Sequence, residues 1–435
     1  MRTKIVSSVP SPSPDLRLWL LRALGVLLLL VGFYSANSRV LSLWLPWSAW
    51  ENGGVDFPVL HAMARGIAEG INVYELNAPG QVGEGVVGMV YPPATGFAVL
   101  PLAFLPFPMA RAVFFIFMNL TLILGARALV RHVAPRSDAY VWMIVAGLVL
   151  MAASIRWGMM LLQVAPLILG LLFYFLVALD RGQHKAAIAI AMIATAFKMT
   201  LALPFLGLLV LHRRYLGFAI VAGGWVLLNA LGFLRMGSEA FSTYQANVAM
   251  FEQVDASWNI NGPDPWLGVS LPRLDWVFLF YGVIGNLPLS RIANLICAGL
   301  TTLWLIREGW RARHLPVTIE TTQLFLLPLI CLGSLAVYHH QYDACLFLAP
   351  LVLAWFLSPS LRQPAWGAVL IVPLLFTVTL LPIGKAQDIL GGLLGPTGVG
   401  LVKISFPFAI TLALIGSLAF LKDNLDRALG AGRRS

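Results

Sequence analysis

A chain of 435 residues that is 59% hydrophobic and only 11% charged stands far from a soluble domain, in which roughly a quarter of residues carry charge. Apolar runs near ~20 residues, the length that crosses bilayer hydrocarbon, recur along it and predict an all-α polytopic membrane protein. Its net charge of +10 does not point to nucleic acid, because the cations fall in short clusters between apolar runs, as in cytoplasmic loops.

Taken in chain order, Arg2, Lys4, Arg17 and Arg22 precede "ALGVLLLLVGFY" with no convincing cleavage site. That predicts a cytoplasmic segment 1–16 and an uncleaved first span near 17–35. An outer loop over about 36–91 follows, opening with Trp44, Trp47 and Trp50, which suit an interface belt. From Asp56 the pattern predicts an amphipathic interfacial helix. Phe57, Leu60, Ala64 and Ile67 mark its apolar face, and His61, Arg65 and Glu69 its wet side, with Arg65 and Glu69 paired. The proline-bounded "YPPATGFAVLPLAFLPFP" (91–108), which begins at Tyr91, is too short for an ordinary span and reads as a re-entrant or half-length helix.

Further spans are predicted near 109–130, 138–155, 159–179, 186–197, 200–211, 216–234, 290–306, 318–337, 343–358, 364–382 and 405–421, about twelve crossings in all. The short pair 186–197 and 200–211, with Lys198 at the bend, reads as two tilted helices or one re-entrant hairpin. A second outer loop covers about 235–289. With this parity the clusters Arg131/Arg136, Arg181/Lys185, Arg213/Arg214 and Arg307/Arg311/Arg313, and both termini, fall on the cytoplasmic side. No repeat or soluble domain stands out, so 17–421 reads as one transmembrane domain, followed by a basic cytoplasmic tail, 422–435.

Chemistry has few places to reside. Cys297, Cys331 and Cys345 lack the spacing of a disulfide framework or zinc site. His132, His184, His212 and His314 lie among basic loop residues. There is no glycine-rich phosphate loop, nucleophile elbow or H-E-x-x-H, and no D-x-D for a compact acidic metal site. The tandem His339 and His340, followed by Asp343 at a span boundary, are unusual, because ionisable groups near hydrocarbon are costly. Asp56 stands at the same outer side, as a helix cap or an acid with a chemical role. Lys198 is alone in a long apolar stretch, and Gln163 ends its span on the outer side.

The ordered set "DFPVLHAMARGIAEGINVY", "YPPATGFAVLPLAFLP", "LLQVAPLILGLLFYFLVALDRGQHKAAIAIAMIATAFKMTLALP" and "YHHQYDACLFLAP" resembles glycosyltransferase family 87. These are polyprenyl-phosphate-sugar-dependent mannosyl- and arabinofuranosyltransferases of the membrane-embedded C superfamily. The resemblance spans roughly 17–360 and implies a C-superfamily-like helical fold in the cell (plasma or inner) membrane. It further implies a polyprenyl-phosphate sugar donor, a lipid or glycan acceptor, and transfer on the extracytoplasmic face. By position Asp56 matches the family's first-loop acid and would be the general base. His339, His340 and Lys198 would bind the donor phosphate, and Gln163, Tyr91 and Asp343 would be further substrate contacts. This chain departs from the family's Ser-Trp-x-His-His with "SLAVYHHQYD", and from its "GQxN" with "LQVAP". Neither a cofactor nor a metal is expected. The other classes the sequence allows are a transporter or lipid flippase, which would favour internal repeats and midplane polar sites, and a non-catalytic scaffold.

Overall fold

The computed structural model describes residues 14–42, 56–75, 90–251, 262–267, 271–357 and 383–431. The tryptophan belt at 44–50 and the expected crossing at 364–382 lie outside them. The described residues are helical, without a β-strand; an isolated antiparallel bridge joins Arg273 to His340.

Six described helices are long and apolar enough to cross a membrane, or seven if one bent pair is a single span. They are α1 (Pro14–Ser42), α4 (Phe107–Val133), α10 (Tyr215–Met236), α13 (Leu287–Arg311), α14 (Ile319–Ala336) and α17 (Pro396–Ala431). The bent pair is α5 (Ala139–Met151) and α6 (Ala153–Leu161), which meet at 67°. Among the described residues the expected count of twelve is not confirmed, with the crossing expected at 364–382 lying outside them. The apolar stretch 138–211 is broken at Ala152, 162–164, 181–183 and Lys198. Its remaining helices, α7 (Ala165–Asp180), α8 (His184–Phe197) and α9 (Met199–Leu211), have only 16, 14 and 13 residues. Helix α7 is buried almost all round, the pattern of a central helix wrapped by others.

Close backbone approach builds that centre. A Cβ on Gly125 of α4 would stand 2.6 Å from the Gly170 carbonyl of α7, and one on Gly170 would stand 2.7 Å from the Thr121 backbone. Gly32 of α1 and Gly147 of α5 repeat the arrangement: a Cβ on either would stand 2.5 Å from facing backbone. Small residues at such crossings let helices pack where lipid supplies no hydrophobic drive. Gly170→Ala should therefore cost about 1–3 kcal/mol by overpacking. It would be read as a lower thermal midpoint of the detergent-purified protein, and an unchanged midpoint would contradict the tight crossing.

Lys198, with extended φ −159° and ψ 98°, separates α8 from α9. Helix α9 runs antiparallel to α14, since Gly207 faces Leu329 while Gly333 faces Leu203. At the start of α8, Arg214 is a charged neighbour of His184. Helices α8 and α9 thus form a hairpin whose tip is Lys198, an arrangement that both readings of this pair allow. The other end of the bundle gathers the basic loops: His132 meets Asp180 at 2.6 Å, and Arg311 pairs with Asp426.

Helices α2 (Asp56–Glu69), α3 (Pro93–Ala98), α11 (Ala240–Phe251) and α12 (Trp276–Ile284) complete the tip end with α15 (Leu348–Leu357); α16 (Ile383–Leu394) precedes α17. Phe57, Leu60, Ala64 and Ile67 are buried as expected, and Arg65 donates to Glu69 on the exposed side, at 2.9 Å from Nε. His61 differs from expectation. It is only 7% exposed, with its ring edge-on to Phe107 at 5.4 Å. The start of α4 covers a face that the isolated helix would leave wet. The 91–108 segment forms α3 and a 3₁₀ turn at Leu100–Phe104, neither long enough to cross. Pro93 opens α3, where proline fits, and Asn229 of α10 accepts from the Ala94 N–H at 2.9 Å.

Candidate active site

At the hairpin tip, five chain segments, around Asp56, Tyr91, Gln163, Lys198 and 338–343, bring their polar groups together. Helix α2 begins at Asp56 and turns its carboxylate toward Gln163, whose amide donates to it. Gln163 gets there through a turn at the end of α6: Leu162 adopts left-handed φ +54°, with Gln163 N–H bonded to the Gly158 carbonyl at 2.8 Å. That conformation costs a leucine roughly 1–2 kcal/mol, and strain of this kind collects at functional sites. The same Gln163 amide lies 3.2 Å from the Tyr91 hydroxyl and 3.3 Å from that of Tyr342. Tyr91 is itself held by its carbonyl, which accepts from the Tyr74 hydroxyl at 2.9 Å.

The second half of the cluster is ionic. Lys198 Nζ donates to both oxygens of Asp343, at 3.0 and 2.8 Å. The Asp343 side chain is wholly buried and that of Lys198 is 14% exposed. Asp343 also meets His339 Nδ1 at 3.0 Å and accepts from the His340 backbone N–H at 3.2 Å. Lys198 is thus the partner of a buried acid, and the lone cation read from the sequence has a counter-ion 145 residues away. His340 turns elsewhere, with Nε2 at the Tyr338 hydroxyl and Nδ1 3.4 Å from the Pro272 carbonyl. Burial pushes His340 down to about 4, so it is neutral near pH 7.

Asp56 is partly exposed as a residue, while its carboxyl group is enclosed by protein. Burial raises its pKa to about 6, against the opposing pull of the Gln163 hydrogen bond and the Lys198 charge; the Asp343 charge adds to the rise. The environment thus gives Asp56 a basicity suited to proton abstraction near neutral pH.

All seven residues singled out in the sequence meet in this cluster. Four others there were not singled out. Tyr338 and Tyr342 flank the histidine pair and could have been noticed for that. Arg273 and Asp275 could not, because they pair with each other at 2.8 Å and reach the site only through the fold. Arg273 lies over the Tyr338 ring at 4.6 Å, and the Leu274 N–H donates to the His339 carbonyl at 2.9 Å. Among the described residues, no three His, Cys, Asp or Glu side chains group as a metal site requires.

These features define a polytopic helical membrane protein with an enclosed acid and an ion-paired lysine at one end of its bundle. Glycosyltransferase family 87 matches residues 89–334. The match covers more than half of the chain, which therefore belongs to that family. Membership indicates a membrane-embedded glycosyltransferase. The matched region contains Tyr91, Gln163 and Lys198, whereas Asp56, His339, His340 and Asp343 lie beyond its ends and join the site through the fold. No curated protein and no solved structure gives a match.

Proposed function

We propose that this protein transfers a sugar, mannose or a related one, from a polyprenyl-phosphate donor to a lipid or glycan acceptor. Transfer would occur on the extracytoplasmic face of the plasma or inner membrane, with Asp56 as general base. The observation that carries the reading is the meeting of Asp56 and its Gln163 clamp with Lys198, Asp343 and His339 at one end of a membrane bundle. The gathering of the basic loops at the opposite end supports the sidedness, since such loops face the cytoplasm.

In this mechanism the acceptor hydroxyl gives its proton to Asp56 as its oxygen attacks the anomeric carbon. The bond from that carbon to the phosphate oxygen breaks, and the electron pair leaves with the phosphate. A phosphate is already a good leaving group, so it needs charge stabilisation more than protonation. Lys198 supplies a cation there, with Asp343 fixing its position. His339, oriented through Nδ1 by Asp343, would offer its other ring nitrogen to the donor phosphate. His340 is neutral and engaged by Tyr338, so it shapes the site instead of carrying charge. A transporter or flippase would not belong to this family.

The test is transfer in membranes containing the protein, with a panel of radiolabelled polyprenyl-phosphate sugars against nucleotide sugars. Label should move from a polyprenyl-phosphate donor. Use of nucleotide sugars alone would overturn the donor class. Transfer should also persist in EDTA, because Lys198 can neutralise the departing phosphate without an ion. Loss in EDTA with recovery on magnesium or manganese would mean that acids of the chain converge on a metal.

A further inference from the structure

The opposite end of the bundle holds a cavity for which the proposed transfer reaction has no use. It lies where α9 ends and α14 begins, with a volume of about 300 Å³. Helix α9 has 13 residues, so this cavity is about 20 Å from Lys198 at 1.5 Å of rise per residue. Arg213, Arg214 and Arg313 contribute to its lining, and no carboxylate does. None of the three arginines forms an ion pair among the described residues. The rest of the wall is largely apolar, including Leu315, Val317 and Phe325.

The backbone at Arg213 is a second observation. The Arg213 N–H bonds the Val210 carbonyl at 2.9 Å and the Arg214 N–H bonds that of Leu209 at 2.7 Å. This helix ending puts one residue in the left-handed region and usually employs glycine there. Here the residue is Arg213, at φ +56°. Keeping an arginine where glycine would be relaxed points to a task for its side chain. Across the cavity, Arg313 is steadied by the Trp310 ring at 4.7 Å and by donating to the Trp310 carbonyl at 3.2 Å.

We propose that this cavity seats the phosphate-bearing headgroup of an anionic phospholipid, distinct from the sugar donor. Its apolar wall argues for a lipid over free phosphate, which would have no use for Leu315, Val317 and Phe325. The neighbouring surface agrees: Leu216 and Trp310 are 76% and 66% exposed, as side chains facing acyl chains are. Basic pockets between membrane helices are suited to such headgroups.

Native mass spectrometry of the delipidated full-length protein tests this, with phosphatidylglycerol or phosphatidylcholine added back. The wild type should retain one phosphatidylglycerol in preference to phosphatidylcholine. Arg213→Gly removes the charge while relaxing the backbone, so it should fold and yet lose that preference by about tenfold or more, as should Arg213→Gln/Arg313→Gln. Arg131→Gln/Arg136→Gln, in a basic loop whose residues do not line the cavity, should keep it. Retention by Arg213→Gly equal to wild type would overturn the proposal, as would an equal loss in the Arg131/Arg136 variant. Displacement of the lipid by millimolar inorganic phosphate would make this a free-phosphate site instead.

Discussion

Asp56→Asn should insert, fold and bind the lipid donor as the wild type does, yet turn over roughly 10²–10⁴-fold more slowly, the usual worth of a positioned base. Asparagine keeps the shape of the side chain and an oxygen to accept from the Gln163 amide that now meets the carboxylate. It also suits a helix start about as well as aspartate. What it lacks is basicity. If Asp56 served only the helix end, asparagine would be nearly silent, and alanine would cost about 1 kcal/mol of stability. Donor binding and single-turnover transfer, measured on one preparation, separate these outcomes.

Lys198 should show the second large effect, and in two properties at once. Removing it leaves the wholly buried Asp343 side chain without its main counter-charge, a loss of about 3–5 kcal/mol for a broken buried pair. Lys198→Gln should therefore be unstable in detergent as well as weak in donor binding. The double variant Lys198→Gln/Asp343→Asn removes both charges and should regain most of that stability. It should remain poor at donor binding, because the cation for the phosphate is still missing. Recovery of donor affinity along with stability would show that Lys198 is a structural partner of Asp343 and nothing more.

The residues of this site were legible one at a time, while their relations were not. Asp56, His339 and Lys198 each stood out because a charge beside hydrocarbon needs a reason. Nothing in the local sequence tells that Asp343 neutralises Lys198, or that Gln163 clamps Asp56, since those pairs are 145 and 107 residues apart. Period and composition did mark the buried face of α2. They missed the burial of His61, because Phe107 arrives from another segment to cover it. Length and hydropathy did not place every break in the apolar stretch 138–211. The bend at Lys198 was legible from its lone charge, but hydropathy averages over a break such as Ala152, where the backbone leaves the helix without a polar residue to announce it.

The pH dependence of kcat/KM, for the wild type and for Gln163→Leu, tests most directly whether Asp56 is the base. An acid that must be ionised to work loses activity as pH falls through its pKa, which burial has raised to about 6. The wild type should accordingly show an acidic limb with its inflection near pH 6. The Gln163 hydrogen bond lowers that pKa, so Gln163→Leu should move the limb to higher pH while leaving a plateau above it. A profile that is flat from pH 5 to 8 in the wild type, or a limb that does not move in Gln163→Leu, would contradict the assignment of Asp56 as the general base.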